Sequence, residues 1–373
     1  MFGMRLFGAI AILFLASGGA RGQQQAITIW WAQWDPAAGL QEVAKRFEQE
    51  TGIAVNVHQI PWPAYQEQVF LNFGNRQTDF DIVVGDSQWI GRGATKGLYL
   101  DLTDWLPTAV DMEKIHPRAA RYLCEYPSGS GRYYAAPCET DACGFVYRRD
   151  WFEDAAERVA FEKRYGRPLE VPQTWTELRD LAEHFHRPAE QRYGVSILTG
   201  RMYDSATMGF QMFLWSWGAS WGDPQTFQVQ GHLNSDEGVA ALTFMKDLLR
   251  FTPPGGNSAD YFYNNDVFSN GSTAMMLNYF PFYPGIVDAM GEKVGFFMVP
   301  GHGDRRVISL GGQGFSISTK IPASQQELAK QFIAWFEQTE VQREWIKHPG
   351  AFTADVELLN SEEFAAAAPF NAT

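Results

Sequence analysis

Apolar and polar positions follow two rhythms along the first third of the chain. Leu40, Val43, Ala44 and Phe47 recur at helical spacing, with Glu42, Lys45, Arg46 and Glu48 on the other side. Thr51-Gly52 ends that run, where glycine suits a left-handed cap. Residues 53–60 alternate apolar and polar side chains, the period of a half-buried strand. A second helix is predicted over 65–73. It leads to Phe80-Asp81-Ile82-Val83-Val84-Gly85, an apolar, β-branched run of the kind buried in parallel sheets. Ahead of all these stands Ala26-Ile27-Thr28-Ile29-Trp30-Trp31, β-rich and ending on an aromatic pair. Strands alternating with helices predict an α/β fold with a sheet of parallel character.

The remainder continues the pattern. A helix is expected over 89–96. Tyr133-Tyr134-Ala135-Ala136-Pro137 and Cys143-Gly144-Phe145-Val146-Tyr147-Arg148 read as two extended segments around a polar turn. Helical spacing returns between 150 and 186, with a start at Thr174 and Glu177 three residues on, a capping box. Further helices are predicted over 208–217, 236–250 and 328–337. Gly311-Gly312-Gln313-Gly314 is backbone that lets a partner approach closely.

The first residues set the compartment. Arg5 precedes an apolar run over 6–16, and small residues follow up to Gly22. That is the layout of a secretory signal peptide cut before Gln23, and its apolar run is shorter than the ~20 residues that span a bilayer. Residues 1–22 are therefore expected to be removed, leaving a soluble periplasmic protein. The roughly 350 residues that follow exceed what one hydrophobic core usually serves, so two lobes are expected. With 43 acidic against 30 basic residues and a formal net charge of −13, the surface lacks the basic character that phosphates require. No nucleic-acid partner is expected.

There are three cysteines, Cys124, Cys138 and Cys143. In an oxidising compartment two can pair. Cys138 and Cys143 are close enough in sequence to bridge a tight turn, Cys124 could reach either across a hairpin, and Cys124 could instead be a buried free thiol. None of the His residues falls beside a Cys pair in a metal-ligand spacing, so neither metal nor cofactor is expected.

In this order the segments resemble the extracellular solute-binding proteins of ABC importers, the sugar-binding group above all. The resemblance runs through Ile27–Trp31, Phe47–Ile53, Asp79–Val83, Gly97-Leu98-Tyr99-Leu100-Asp101-Leu102 and Tyr134–Pro137 with Phe145–Phe152. It continues in Pro172-Gln173-Thr174-Trp175-Thr176-Glu177-Leu178 and in Gly312–Ser318 with Ala329, Phe332, Ile333 and Phe336. It implies two α/β lobes joined by crossing strands (the type II periplasmic-binding-protein fold), a ligand held in the cleft, closure by hinge bending, and delivery to a membrane permease by a monomer. Carried onto this chain, one lobe holds 23–140 and 309–349, and the other holds 141–308 and 350–373. The turn Cys138-Glu139-Thr140-Asp141 departs from the sugar-binding pattern.

The chain has 13 Trp. In open α/β sheets ligands bind beyond the carboxyl ends of strands, which is where Trp30, Trp31, Gln33 and Trp34 and then Asp86, Ser87, Gln88 and Trp89 are expected. Sugars offer apolar faces to aromatic rings and hydroxyl edges to polar groups. Asp86 can accept two hydroxyls at once, or else cap a helix. Glu139 and Asp141 stand at the lobe crossover, where Asp141 can alternatively serve a turn. Trp215 and Trp217, two apart on a helix, cannot face one way, and Trp217 is the one expected to reach the cleft. The resemblance adds Gln211, Asn278, Tyr279, Gly312 and Gln313, and Tyr65 and Phe352 complete the candidates. Trp105, Trp151, Trp175, Trp335 and Trp345 are expected in cores.

The expected function is capture of a small sugar or polyol. One competing reading keeps the role but takes a polyamine-like cation against the tryptophans and Asp86, Glu139 and Asp141. A more distant one is a periplasmic glycoside hydrolase using paired carboxylates; the chain shows no nucleophile elbow, phosphate loop or metal motif.

Overall fold

The two opening rhythms fold as predicted. Strand β1 (Ala26–Ala32) runs parallel to β2 (Ala54–Ile60) on one side and to β3 (Ile82–Asp86) on the other. The helix Asp35–Thr51 connects the first two and ends on Gly52 at φ 75°. The computed structural model describes residues 25–373; the expected leader, residues 1–22, lies outside the described residues. The later strands are β4 (Ala136–Arg148), β5 (Tyr193–Ser196), β6 (Thr273–Tyr279), β7 (Val294–Met298) and β8 (Leu310–Ile317). Their order across the sheet is β2-β1-β3-β8-β4-β6-β5, with β7 also paired to β4. The sheet is mixed: β8 runs antiparallel to both β3 and β4, while β5 and β6 are parallel.

Helices follow the predicted periodicity closely. Trp62–Asn72, Trp175–Phe185, Ser205–Ser216, Asp236–Leu248 and Ala323–Phe336 stand where helical spacing placed them, several a few residues longer. Thr174 and Glu177 form the expected capping box. No helix among the described residues is long and apolar enough to cross a membrane.

The principal difference lies at the centre. Instead of two segments around a polar turn, residues 136–148 form one uninterrupted strand of 13 residues. Its first part, from Ala136 to Ala142, pairs with β8, and from Cys143 to Arg148 it pairs with β6 and β7. The sequence Cys138-Glu139-Thr140-Asp141 reads as a turn because polar residues are usually exposed. Here they pair with β8 in the interior, and Glu139 is 0 % exposed.

This corrects the disulfide expectation. Five residues along an extended strand span about 16 Å, far beyond the roughly 7 Å that a disulfide tolerates between Cα atoms. Cys138 lies in the larger hydrophobic core and Cys143 in the smaller. All three cysteines are buried free thiols. Thiol titration of the unfolded, unreduced protein is expected to find three reactive groups per chain; one would signal a bridge.

The larger core gathers around β1, β3, β8 and the helix Asp35–Thr51, and the smaller around Phe145, Trp175, Phe213 and Phe297. The C-terminal tail packs on the larger core. Phe370 packs against Phe280, Tyr283 and Phe296, while Val356 donates to the Lys114 carbonyl.

One glycine fixes the crossover. Gly312 sits at φ 127°, and a Cβ there would come within 2.3 Å of the Glu139 carbonyl oxygen. Gly312→Ala is expected to lower stability by about 1–3 kcal/mol, read as a fall in the urea midpoint.

Candidate functional site

Strand register assembles the site. Asp86, the last residue of β3, stands opposite Gln313 of β8, and Gln313 stands opposite Glu139 of β4. Alternation along β4 places Asp141 on the same face as Glu139, opposite Gly311. A side chain at Gly311 would displace the Asp141 carboxylate, because its Cβ would lie 1.8 Å from Asp141 Oδ1. The other half contributes Tyr203 and Asp204, which precede the helix Ser205–Ser216. Tyr203 adopts φ 53°, a left-handed conformation rare for an aromatic residue. Its ring lies between Trp62 and Trp89, at 5.5 and 6.1 Å.

Two hydrogen bonds join the halves over the site. Tyr203 donates to Asp86 Oδ2 at 3.1 Å, and Gln88 donates to Asp204 Oδ2 at 3.0 Å. Beneath them lies a narrow cavity. Trp34, Trp62, Tyr203, Tyr261, Tyr279 and Phe282 give it aromatic walls. Asp86, Asp141, Asp204, Ser87 and Gln313 are its polar groups, with Met208 and residues 310–312 filling the floor. Trp34 meets Trp62 edge-on at 86°, and Tyr261 stacks on Phe282 at 7°.

Of the predicted residues, Trp34, Asp86, Ser87, Asp141, Tyr279, Gly312 and Gln313 line this cavity. Gln88 closes over it through Asp204, and Gln33 lines an outer groove that shares Trp34 and Trp62. Glu139 lies one strand step behind Asp141, both oxygens without a partner.

Other candidates do structural work. Adjacent residues of a strand face opposite ways, so Trp30 and Trp31 cannot both reach the site. Trp31 is buried against Trp34 and Trp345, and Trp30 packs on His58 and Phe80. Trp89 is buried behind the wall against Tyr65 and Phe70. Tyr65 bridges the carbonyls of Trp30 and Val84, tying β1 to β3. Gln211 donates to Ser309, which in turn bonds the Tyr279 hydroxyl. Asn278 holds the backbone of Tyr261. Both act as supports rather than cavity walls. Trp217 stacks on His302 at 3.9 Å, away from the cavity, and Phe352 packs with Phe280 and Phe370 under the tail.

Sequence reasoning missed Tyr203, Asp204, Tyr261 and Phe282 as site residues. A signal existed for the first two: they follow β5, whose carboxyl end points at the same opening as β1 and β3. That four-residue strand was too short to recognise.

The family follows from a direct comparison. Residues 31–343 match the model of the bacterial extracellular solute-binding proteins. The chain belongs to that family. Its members are binding proteins, not enzymes. This solute-binding protein is 24% identical over 377 residues to the mannitol-binding protein of Pseudomonas aeruginosa, covering 97% of this chain and 79% of that one. It is 29% identical over 190 residues to YcjN of Escherichia coli, named as an ABC transporter periplasmic-binding protein. That match covers 49% of this chain and 41% of the length of YcjN, less than half of each. Among solved structures, an ABC transporter solute-binding protein of Agrobacterium radiobacter in complex with ribitol superposes with a TM-score of 0.78 at 25% identity. The maltose-bound MalE3 of T. maritima gives the same two values. Each match covers 93% of this chain and 85% of the other. The two-lobed α/β architecture expected from the sequence is the one these neighbours share.

The carboxyls of this solute-binding protein titrate abnormally. Burial, then the charge of Asp86, pushes Asp141 up to about 8 and Asp204 up to about 7. Burial raises Asp86 as well, and burial with the Asp141 charge holds Glu139 well above the usual range. Each group keeps its proton to higher pH folded than unfolded. At these groups the native state therefore binds extra protons from about pH 4 up to about pH 8, and the stability they contribute is lost as pH rises through that window. The Tm of the ligand-free protein is expected to drop between about pH 5 and pH 8.5, and Asp141→Asn to flatten the drop.

Proposed function

We propose that this chain is exported to the periplasm, with residues 1–22 removed, and captures a small sugar or sugar alcohol for the permease of an ABC importer. It acts as a monomer. Its lobes comprise the parts on either side of the β4 crossover, near 140/141 and 308/309, and close on the ligand by hinge bending.

The observation that carries this reading is a set of buried polar atoms without protein partners around an aromatic cavity. Trp34 Nε1 and Trp62 Nε1 are unpaired donors, and Asp141 Oδ1 and Gln313 Oε1 are unpaired acceptors. An unsatisfied buried polar atom costs about 1–3 kcal/mol, so such a set is stable only if something else supplies the bonds. A hydroxyl both donates and accepts. A polyol therefore meets Asp141 and Gln313 with its hydrogens and the indoles with its oxygens, while ring faces cover its carbon skeleton. The relatives named for mannitol, ribitol and maltose support the same class. They do not favour a polyamine carrier or a glycoside hydrolase.

Thermal denaturation with a panel of alditols, monosaccharides and disaccharides tests the proposal. A cognate compound at 100 times its Kd is expected to add about 2.7 kcal/mol of stability, visible as a clear rise in Tm. Trp34→Ala is expected to weaken its binding at least about tenfold. A panel that leaves Tm unchanged sinks the proposal.

A further inference from the structure

We infer that the ligand is a polyol bearing a protonated amine, an amino sugar or amino alditol, in preference to a neutral sugar. The inference rests on the proposed capture of polyols and names the class within it.

Three carboxylates line the cavity, Asp86, Asp141 and Asp204, and no Lys, Arg or His stands among its lining residues. Glu139 lies directly behind Asp141 on the same strand face. The partners of these acids are neutral. Ser87 and Tyr203 donate to Asp86, and Tyr261 and Gln88 donate to Asp204, at 2.5 and 3.0 Å. Asp141 is 5 % exposed and Gln313 6 %; Oδ1 of the first and Oε1 of the second have no partner.

Buried carboxylates are normally paired with a cation or forced to hold a proton. A neutral polyol brings hydroxyl donors but no charge, and would leave these acids either repelling one another or holding protons. An ammonium supplies three donors and one positive charge. The aromatic walls suit it too. Phe282 lies 5.6 Å from Trp34, and Tyr203 lies 5.5 Å from Trp62, and faces of such rings attract cations.

Charge alone does not fit either. Trp34 Nε1 and Trp62 Nε1 need acceptors, and a plain polyamine has no oxygen to offer them. The cavity asks for hydroxyl oxygens beside its tryptophans and a cation beside its carboxylates, in one small molecule. The raised titration of Asp141 and Asp204 agrees with the same geometry, since an arriving cation would draw their protons off.

Isothermal titration at about pH 7 decides the matter by pairing each neutral compound with its amine. Glucose is set against glucosamine, and sorbitol against its aminodeoxy form. N-acetylglucosamine keeps the skeleton without the charge, and putrescine keeps charge without hydroxyls. A free amine is expected to bind at least about 30-fold more tightly than its neutral and acetylated counterparts, and Asp204→Asn to shrink that ratio. Equal affinity for neutral and amino members overturns the inference and leaves polyol capture standing. Binding of putrescine alone, or of nothing in the panel, overturns both. The comparison of free with acetylated amine uses the unaltered chain, so it stands even if the variant fails to fold.

Discussion

Everything in this molecule depends on one strand serving both halves of the sheet. Residues 136–142 belong to the half built on β1, β3 and β8, and residues 143–148 to the half built on β6 and β7. A strand shared in this way cannot turn, so the residues just before the handover stay in the interior. In this chain they are Glu139-Thr140-Asp141, paired with β8. Acidic residues that would be solvated in a turn are instead fixed where water is scarce. The abnormal titration of the site and its demand for outside partners both follow from that placement.

The opposite wall is equally constrained. Tyr203 holds an uncommon backbone conformation and is kept there by two tryptophans and a carboxylate from the other half. Strain of this kind persists where surroundings over-determine it, and here the surroundings are residues distant in the chain. Direct contacts thus tie the two walls of the cavity together.

Much of this was legible in the sequence, and the failures are instructive. Helices with clear apolar spacing, such as Asp35–Thr51 and Trp175–Phe185, were read correctly because burial on one face leaves a period. The strand-end rule found Trp34, Asp86 and Ser87. It also drew in Trp31 and Trp89, because loop proximity does not say which way a ring points. Glu139 and Asp141 were selected, yet their strand was misread as a turn, since sequence shows polarity and not the strands that cover it. The register joining Asp86, Gln313 and Glu139 links positions far apart in the chain, and no local pattern encodes it. Cys138 and Cys143 looked pairable only while that strand was thought to turn.

Gly311 carries a consequence beyond its own conformation. The space where its side chain would begin is occupied by an oxygen of Asp141. The two positions therefore behave as a single lock with two parts. A larger residue at 311 evicts the carboxylate, and a smaller one at 141 leaves the glycine facing a hole. Any redesign of ligand preference in this wall has to exchange both residues together, and a single-position library would pass over it.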